Sequence, residues 1–372
     1  MSHSDPWVLQ ICHGYDGPFL DCARQYSALF AGTPYKVCTV YLTGSPSAEV
    51  ERGSASDEVI FLDHSTRDLR GLKLKSIVAI RRLVASRNFE FCIAHRFKPT
   101  YVALLATRLP VIAVNHAFGV YRRCNRRLFA GFFRQRLFLL GVSNAVRDDI
   151  RRSLQGWPED RIQTLYNRID VATVQAEQVS RETAREHLGL PPEAWIVGNA
   201  GRLHPDKDQA TLLRGFALAL PELPAGSLLA IMGKGRLETS LKALANELGV
   251  SDSVRFLGQV PQGRRYFKAF DLFALTSDHE PFGMVLLEAM AAAVAVICSD
   301  VGGAPEVLDN RGQQFPLGDA PALARLLVMA AGGGAINWDE RLRANFSDTA
   351  ARARIAPVLK GWGISILTEA GR

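Results

Sequence analysis

Two carboxylates, Glu280 and Glu288, bracket the run Pro281-Phe282-Gly283-Met284-Val285-Leu286-Leu287. A Pro and a Gly ahead of good helix formers predict a helix start, with Glu280 just outside it and Glu288 about two turns in. The first N–H groups of a helix lack partners and favour an anion in front of them. The backbone of Phe282, Gly283, Met284 and Val285 is therefore a candidate phosphate cradle. Were the stretch helical throughout, the two carboxylates would stand roughly 12 Å apart along the axis, a span similar to a nucleotide-sugar. One carboxylate can then hold sugar hydroxyls and the other a ribose diol, with the diphosphate on the helix end between them. The competing reading is an amphipathic core helix whose glutamates are solvated.

A second constellation precedes it. The apolar run 194–200 predicts a strand that ends in Gly201-Arg202-Leu203-His204-Pro205-Asp206-Lys207-Asp208. Glycine at a strand end, followed by an Arg with a planar fork and a Lys with a compact charge, makes an anion site. Arg202 and Lys207 are the candidates to stabilise a leaving diphosphate; the alternative is a capped loop with surface cations. Gly233-Lys234-Gly235 is only a fragment of the dinucleotide pattern, since Glu238 stands where its third glycine belongs. A second glycine loop, Val301-Gly302-Gly303-Ala304-Pro305-Glu306, opens another helix.

These residues need strand ends to hold them, and the chain supplies strands alternating with helices. Trp7–Cys12, 35–42, 58–62, 89–95 and 110–115 read as buried strands, with helical spacing over 19–31, 72–86 and 100–108 between them. Strands 228–232, 254–258, 272–275 and 294–298 continue the alternation in the second half. That pattern predicts a parallel sheet, whose ligands sit at the carboxyl ends of the strands. His13, Gly14, Gly17, His95 and His116 fall at such ends. His116 can donate to a sugar hydroxyl; otherwise it bonds a neighbouring loop carbonyl.

Residues 121–140 hold six arginines, four phenylalanines and no acid. Arg122, Arg123, Arg126, Arg127, Arg134 and Arg136, interleaved with Phe132 and Phe133, suit an anionic bilayer surface, where cations meet headgroups and rings enter the interface. A domain-packing helix with a solvated Arg face is the alternative, and nucleic acid the least favoured partner.

Length and composition set the frame. The 372 residues suit two domains, 48% hydrophobic and 22% charged residues describe a globular chain, and a net charge of +7 favours an anionic partner. The six cysteines form no Cys-x-x-Cys or zinc spacing and read as reduced core thiols. No basic-then-apolar opening marks a secretory signal and no apolar run reaches spanning length, so the expectation is a cytoplasmic protein. A polar, helical stretch with a break at Pro191-Pro192 places a linker over 166–194. It separates an N-terminal domain, 1–165, from a C-terminal domain, 195–348. A helical tail, 349–372, can return to the N-terminal domain, and its apolar part 362–367 needs cover.

Taken together, Gly201-Arg202 with Lys207-Asp208, Gly233-Lys234-Gly235, Phe256-Leu257-Gly258, Glu280 through Glu288, and Val301 through Glu306 resemble retaining glycosyltransferase family 4. Gly17, His116 and Val142-Ser143 fit the pattern more loosely. The resemblance implies α/β fold class with GT-B architecture: two Rossmann-like parallel-sheet domains facing a central cleft, acceptor side first and nucleotide-sugar side second. It implies that Arg202 and Lys207 bind the donor diphosphate, Glu280 the donor sugar and Glu288 the ribose. The backbone of Phe282 to Val285 would meet sugar and phosphate, Gly17 would contact the donor from the first loop, and His116 would reach the sugar from the opposite domain. Pro18 follows Gly17 where the family usually carries a second glycine. The Arg-rich segment is similar to the basic region of lipopolysaccharide core glycosyltransferases.

The expected function is transfer of a hexose, with retention, from a nucleotide-sugar, UDP-linked by family frequency, to a membrane-associated glycan such as lipopolysaccharide core. The expected location is the cytoplasmic face of a bacterial inner membrane. No cofactor and no metal are implied, since the nucleotide-sugar is a substrate and no Asp-x-Asp motif is present; nucleic acid is not an expected partner. Another cell-envelope glycan or exopolysaccharide is the alternative acceptor. An NAD-dependent oxidoreductase needs a full Gly-x-Gly-x-x-Gly at a first strand, which His13-Gly14 to Gly17 lacks. A non-catalytic nucleotide- or glycan-binding module at the membrane surface is the rival of a different class.

Overall fold

The structure is a computed structural model that describes residues 5–308, 313–333 and 336–364. The chain divides into two compact units, Met1–Asn167 with Asp348–Arg372, and Arg168–Ser347. Among the described residues, the first unit holds strands β1 Trp7–Cys12, β2 Lys36–Tyr41, β3 Glu58–Phe61, β4 Phe89–His95, β5 Val111–Asn115, β6 Leu137–Gly141 and β7 Ile162–Thr164. They form one parallel sheet in the order β3-β2-β1-β4-β5-β6-β7. The second unit holds β8 Ile196–Ala200, β9 Leu228–Met232, β10 Val254–Gly258, β11 Leu272–Leu275, β12 Ala295–Ser299 and β13 Gln314–Phe315. These too are parallel, in the order β10-β9-β8-β11-β12-β13. Helices cover both faces of such sheets, which is why β5, β6 and β9 are buried at every position and read as unbroken apolar runs.

Each sheet reverses its winding once: between β1 and β4 in the first unit, and between β8 and β11 in the second. At such a switch point the loops leaving adjacent strands diverge to opposite faces and open a crevice. Gln10 and His95 thus come together at the first switch point, and the loops after Ala200 and Leu275 at the second.

One boundary differs from expectation. Most of the stretch expected as a linker, 166–194, belongs to the second unit, as helices Val171–Glu177 and Arg181–Leu188. Arg185 explains it: fully buried, it donates to Asp271 Oδ2 at 2.9 Å and to the Ala269 carbonyl at 3.0 Å, beside the start of β11. A polar composition had suggested solvent exposure, whereas the charge is satisfied inside. The tail helix Asp348–Gly361 packs with the first unit, through Arg24–Asp348 at 3.0 Å and Arg352 on the Ala31 carbonyl at 3.1 Å. Trp362 stacks on Phe138 at 4.7 Å and donates to the Asp160 carbonyl at 2.7 Å. Residues 365–367 of the apolar tail lie outside the described residues. Five of the cysteines are buried thiols, and Cys124 is exposed.

The Arg-rich segment is shorter as a helix than its composition suggested. Only Cys124–Phe132 is helical, and Leu137–Gly141 is the buried strand β6. Its arginines divide by what they touch. Arg136 donates to the Leu104 and Leu109 carbonyls, and Arg134 to the Gly156 carbonyl at 2.7 Å, so both tie loops together. Phe133 packs on Phe129 at 4.9 Å. Leu128 and Phe132, one turn apart, remain 71% and 84% exposed, with Arg122, Arg123 and Arg127 exposed beside them.

Candidate active site

In the second unit, β8 and β11 deliver the two loops singled out in the sequence. Asp208 caps the helix Gln209–Ala219 by accepting from Thr211 N, in a left-handed conformation at φ +43°. This turns Lys207 back over the strand end. Thr276 Oγ1, just beyond β11, donates to the Lys207 carbonyl at 2.9 Å, and Asp278 N to the Asp206 carbonyl at 3.1 Å. The result is an ion pair between residues 73 apart in sequence, Lys207 Nζ to Glu280 Oε2 at 2.7 Å, with Glu280 buried and Lys207 mostly covered. Glu280 Oε1 has no protein partner among the described residues, which leaves a carboxylate oxygen able to accept a further hydrogen bond.

The glycine loops hold this pair in place by close backbone approach. Gly303 N donates to the Glu280 carbonyl at 2.8 Å. Gly302, at φ +67°, lies so close that a Cβ would fall 2.2 Å from that same oxygen. The fragment Gly233-Lys234-Gly235 has the same structural use. A Cβ at Gly233 would meet the Gly201 carbonyl at 1.9 Å, and one at Gly235 the Leu203 carbonyl at 2.3 Å.

The helix after Glu280 starts where Pro281 and Gly283 predicted, with Glu280 outside it. Gly283 is its N-cap at φ +99°, no side chain caps it, and it runs Met284–Ala291. The helical ruler therefore applies only from Met284, about 6 Å of axial rise to Glu288, and does not measure the separation of Glu280 from Glu288. Phe282 is buried, with its ring 5.8 Å from Phe346, so any ligand contact there is through backbone. Glu288 is half-buried on the second turn. Arg202 is not part of the tight pair: its side chain is 72% exposed and its guanidinium reaches Asp206 at 3.3 Å.

In the first unit, His116 follows β5 and His95 ends β4. His95 Nδ1 lies 3.1 Å from His116 Nε2, His95 Nε2 lies 3.3 Å from Gln10 Oε1, and Cys22 Sγ lies 3.8 Å from His116 Nδ1. Gln10 sets the direction of this chain. Its Nε2 donates to the Ala23 carbonyl, Ser27 Oγ and Thr39 Oγ1 at 2.8–3.3 Å, so its Oε1 must accept. His95 then carries its proton on Nε2, His116 on Nε2 toward His95, and Cys22 donates to His116 Nδ1. The inner edge of His116 is thus fully committed. Only the long thiol contact can be exchanged for a ligand, and there the ring accepts; the sequence reading had it donating. Gly17 sits in the exposed loop after β1 at φ +60° with nothing within 4 Å of its Cβ direction, and no protein contact assigns it a role.

Both histidines are held neutral. Burial pushes His95 well below its ordinary value, with His116 adding to it, and burial with Arg96 pushes His116 down to about 4. The unfolded chain therefore binds these protons first as pH falls through the free-histidine value near 6.5. The stabilisation is complete above about pH 6.5 and is lost on descending toward pH 4, by up to about 1.4 kcal/mol per pH unit for each histidine. Urea unfolding between pH 7 and 4.5 should show this slope, and it should flatten in His95→Gln; an unchanged slope would place the acid sensitivity elsewhere.

The sequence missed His95 as part of one network with Gln10, because a buried Gln in an apolar strand gives no sign of its partner. It also missed Arg96 and Lys98, which line a cavity with His13 and His116. Their only signal was position at a strand end.

Comparisons with known proteins bear on the fold and the family. The family model for Glycosyltransferase Family 4 matches residues 27–173, and that for Glycosyl transferases group 1 matches residues 180–326. A D-inositol 3-phosphate glycosyltransferase of Mycolicibacterium gilvum is 38% identical over 156 residues, 39% of this chain and 33% of that protein. The chain spans less than half the length of the curated relatives it matches. Among solved structures, a glycosyltransferase from Rickettsia africae superposes with a TM-score of 0.81 at 16% identity, over 96% of this chain and 99% of that one. Anabaena Alr3699/HepE, in complex with UDP and glucose, gives 0.73 at 19% identity over 96% and 100%. With two such models matched in tandem over two Rossmann-like sheets, the chain belongs to the glycosyltransferases of GT-B fold.

Proposed function

We propose that this enzyme transfers a hexose, with retention of anomeric configuration, from a UDP-sugar to a hydroxyl of a membrane-associated glycan, lipopolysaccharide core being the acceptor to test first. The observation that carries the reading is the Lys207–Glu280 pair at the β8/β11 switch point, clamped by Gly302 and Gly303. In the proposed reaction the bond from the anomeric carbon to the diphosphate oxygen breaks, and its electron pair leaves with the phosphate. Lys207, Arg202 and the uncapped helix start at Met284 meet that charge. Glu280 Oε1 accepts from the sugar hydroxyls, and Glu288 takes the ribose diol. The acceptor oxygen attacks the face the diphosphate leaves, and its proton passes to the departing phosphate oxygen, so no separate protein base is needed. His116 Nδ1 accepts a sugar hydroxyl in place of Cys22. The donor is drawn as UDP-linked because the Anabaena relative is described with UDP and glucose.

The membrane partner rests on Leu128 and Phe132, exposed amid arginines. Rings and aliphatic groups on a basic helix enter the interface of an anionic bilayer, and the reading puts the protein at the cytoplasmic face, where nucleotide-sugars are available. The test is incubation with UDP-glucose, UDP-galactose and GDP-mannose over extracted envelope acceptors, reading nucleotide release and the anomeric coupling of the product. Acceptor-dependent UDP release with an α-linked product is expected, and an inverted product or no release with any donor overturns the reading. Flotation with phosphatidylglycerol vesicles should be lost in Leu128→Ser/Phe132→Ser; equal recovery of that variant removes the membrane claim.

A further inference from the structure

The first unit contains a cavity of about 400 Å³ at the β1/β4 switch point, lined by Arg96, Lys98, Arg123 and Arg126 together with His13 and His116. None of its lining residues is a carboxylate. Among the described residues, none of these four cations forms an ion pair. Cations gathered around one concavity repel each other unless an anion fills it, so a set that protein carboxylates leave unneutralised is a recognition feature.

We propose that this cavity binds a phosphomonoester carried by a sugar of the acceptor glycan, an assignment that rests on the transferase reading above. Two of the guanidiniums are preorganised: Arg96 lies over the Phe19 ring at 4.7 Å, and Arg126 lies over Phe97 at 4.6 Å while donating to the Val120 carbonyl at 3.0 Å. Stacking fixes the plane of the fork that meets phosphate oxygens. Arg96 adopts φ +74°, a conformation costly for a residue with a Cβ. Gly119, at φ +69°, is held by its N–H to Asp149 Oδ2 at 2.6 Å, which keeps that carboxylate turned to the loop and outside the cavity lining. His13 also lines the cavity, and its Nδ1 is buried without a protein partner. Four positive charges match a phosphomonoester of charge about −1.5 to −2 better than a single carboxylate. The volume suits a sugar ring with its phosphate, within the several-hundred-Å³ range of small-molecule sites, and is far too large for phosphate alone.

The same phosphate chemistry occurs in a lipid headgroup, so the test separates the two sources. Glucose 6-phosphate, glucose and inorganic phosphate are titrated calorimetrically into the full chain, with vesicle flotation on phosphatidylglycerol run in parallel. The variant is Lys98→Gln/Arg123→Gln, both exposed positions, and UDP binding to each protein reports the second unit independently. The proposal expects glucose 6-phosphate to bind more tightly than either fragment, and at least tenfold more weakly to the double variant, with UDP binding unchanged. No binding of glucose 6-phosphate, or equal binding by the variant, overturns it. Loss of vesicle binding in the variant without any sugar-phosphate binding assigns the cations to lipid and also overturns it. Failure of UDP to bind the parent protein would instead sink the donor reading alone.

Discussion

Lys207→Ala is expected to lower kcat by about two to three orders of magnitude while the protein stays folded. A preorganised cation aimed at developing leaving-group charge contributes on the order of 3–4 kcal/mol to the transition state. Lys207 is such a cation, because Thr276 and Asp278 fix its loop and Glu280 fixes its ammonium at 2.7 Å. Removing it also strands a buried carboxylate. Breaking a fully buried pair costs about 3–5 kcal/mol; with Lys207 partly reached by solvent, a cost of about 1–3 kcal/mol is expected. The two effects separate in Lys207→Met/Glu280→Gln, which leaves no unpaired charge. Its urea midpoint should recover toward the parent value while transfer stays lost. Near-normal transfer by either folded variant would remove both residues from the site.

Gly302→Ala is expected to damage the site through the backbone of Glu280, and Gly318→Ala is its control. Both glycines have positive φ, +67° and +76°, so alanine at either pays a similar left-handed penalty of about 1–2 kcal/mol. They differ in what the new methyl meets: open space at Gly318, and the Glu280 carbonyl at 2.2 Å at Gly302. That oxygen must move, and with it the carboxylate paired to Lys207. A displacement near 1 Å in a positioning residue costs transfer on the order of 100-fold. A larger stability loss in Gly302→Ala than in Gly318→Ala, with activity lost only in Gly302→Ala, is the expected result. Equal retention of transfer would show that the Gly302-Gly303 loop does not hold Glu280 in its working position.

Arg136 and Arg126 show what residue type alone leaves open. Both stood in one acid-free run that suited a bilayer. In the structure Arg136 ends on the Leu104 and Leu109 carbonyls and Arg126 on a cavity wall, while Leu128 and Phe132 keep the exposed apolar surface. Arginine carries five donors on a long stem and satisfies a carbonyl, a phosphate or water equally well; only the neighbours within reach decide. Arg185 makes the same point for the expected linker, where a charge that reads as solvated is buried against Asp271.

What the sequence determined by itself was local or periodic. Alternating apolar strands and helices dictated two parallel sheets, since a run such as Val111–Asn115 can be covered only by helices on both faces. The loops carrying Lys207, Glu280 and Gly302 were legible because glycine, proline and charge at strand ends have few other uses. The tertiary structure decided the pairings. Strand order set Lys207 beside Glu280 and Gln10 beside His95, contacts that span 73 and 85 residues. It also showed that Gly233 and Gly302 serve backbone approach, and that His116 accepts where the sequence had it donating. Hydrogen-bond direction and close contact depend on which neighbours the fold supplies, and no spacing along the chain records them.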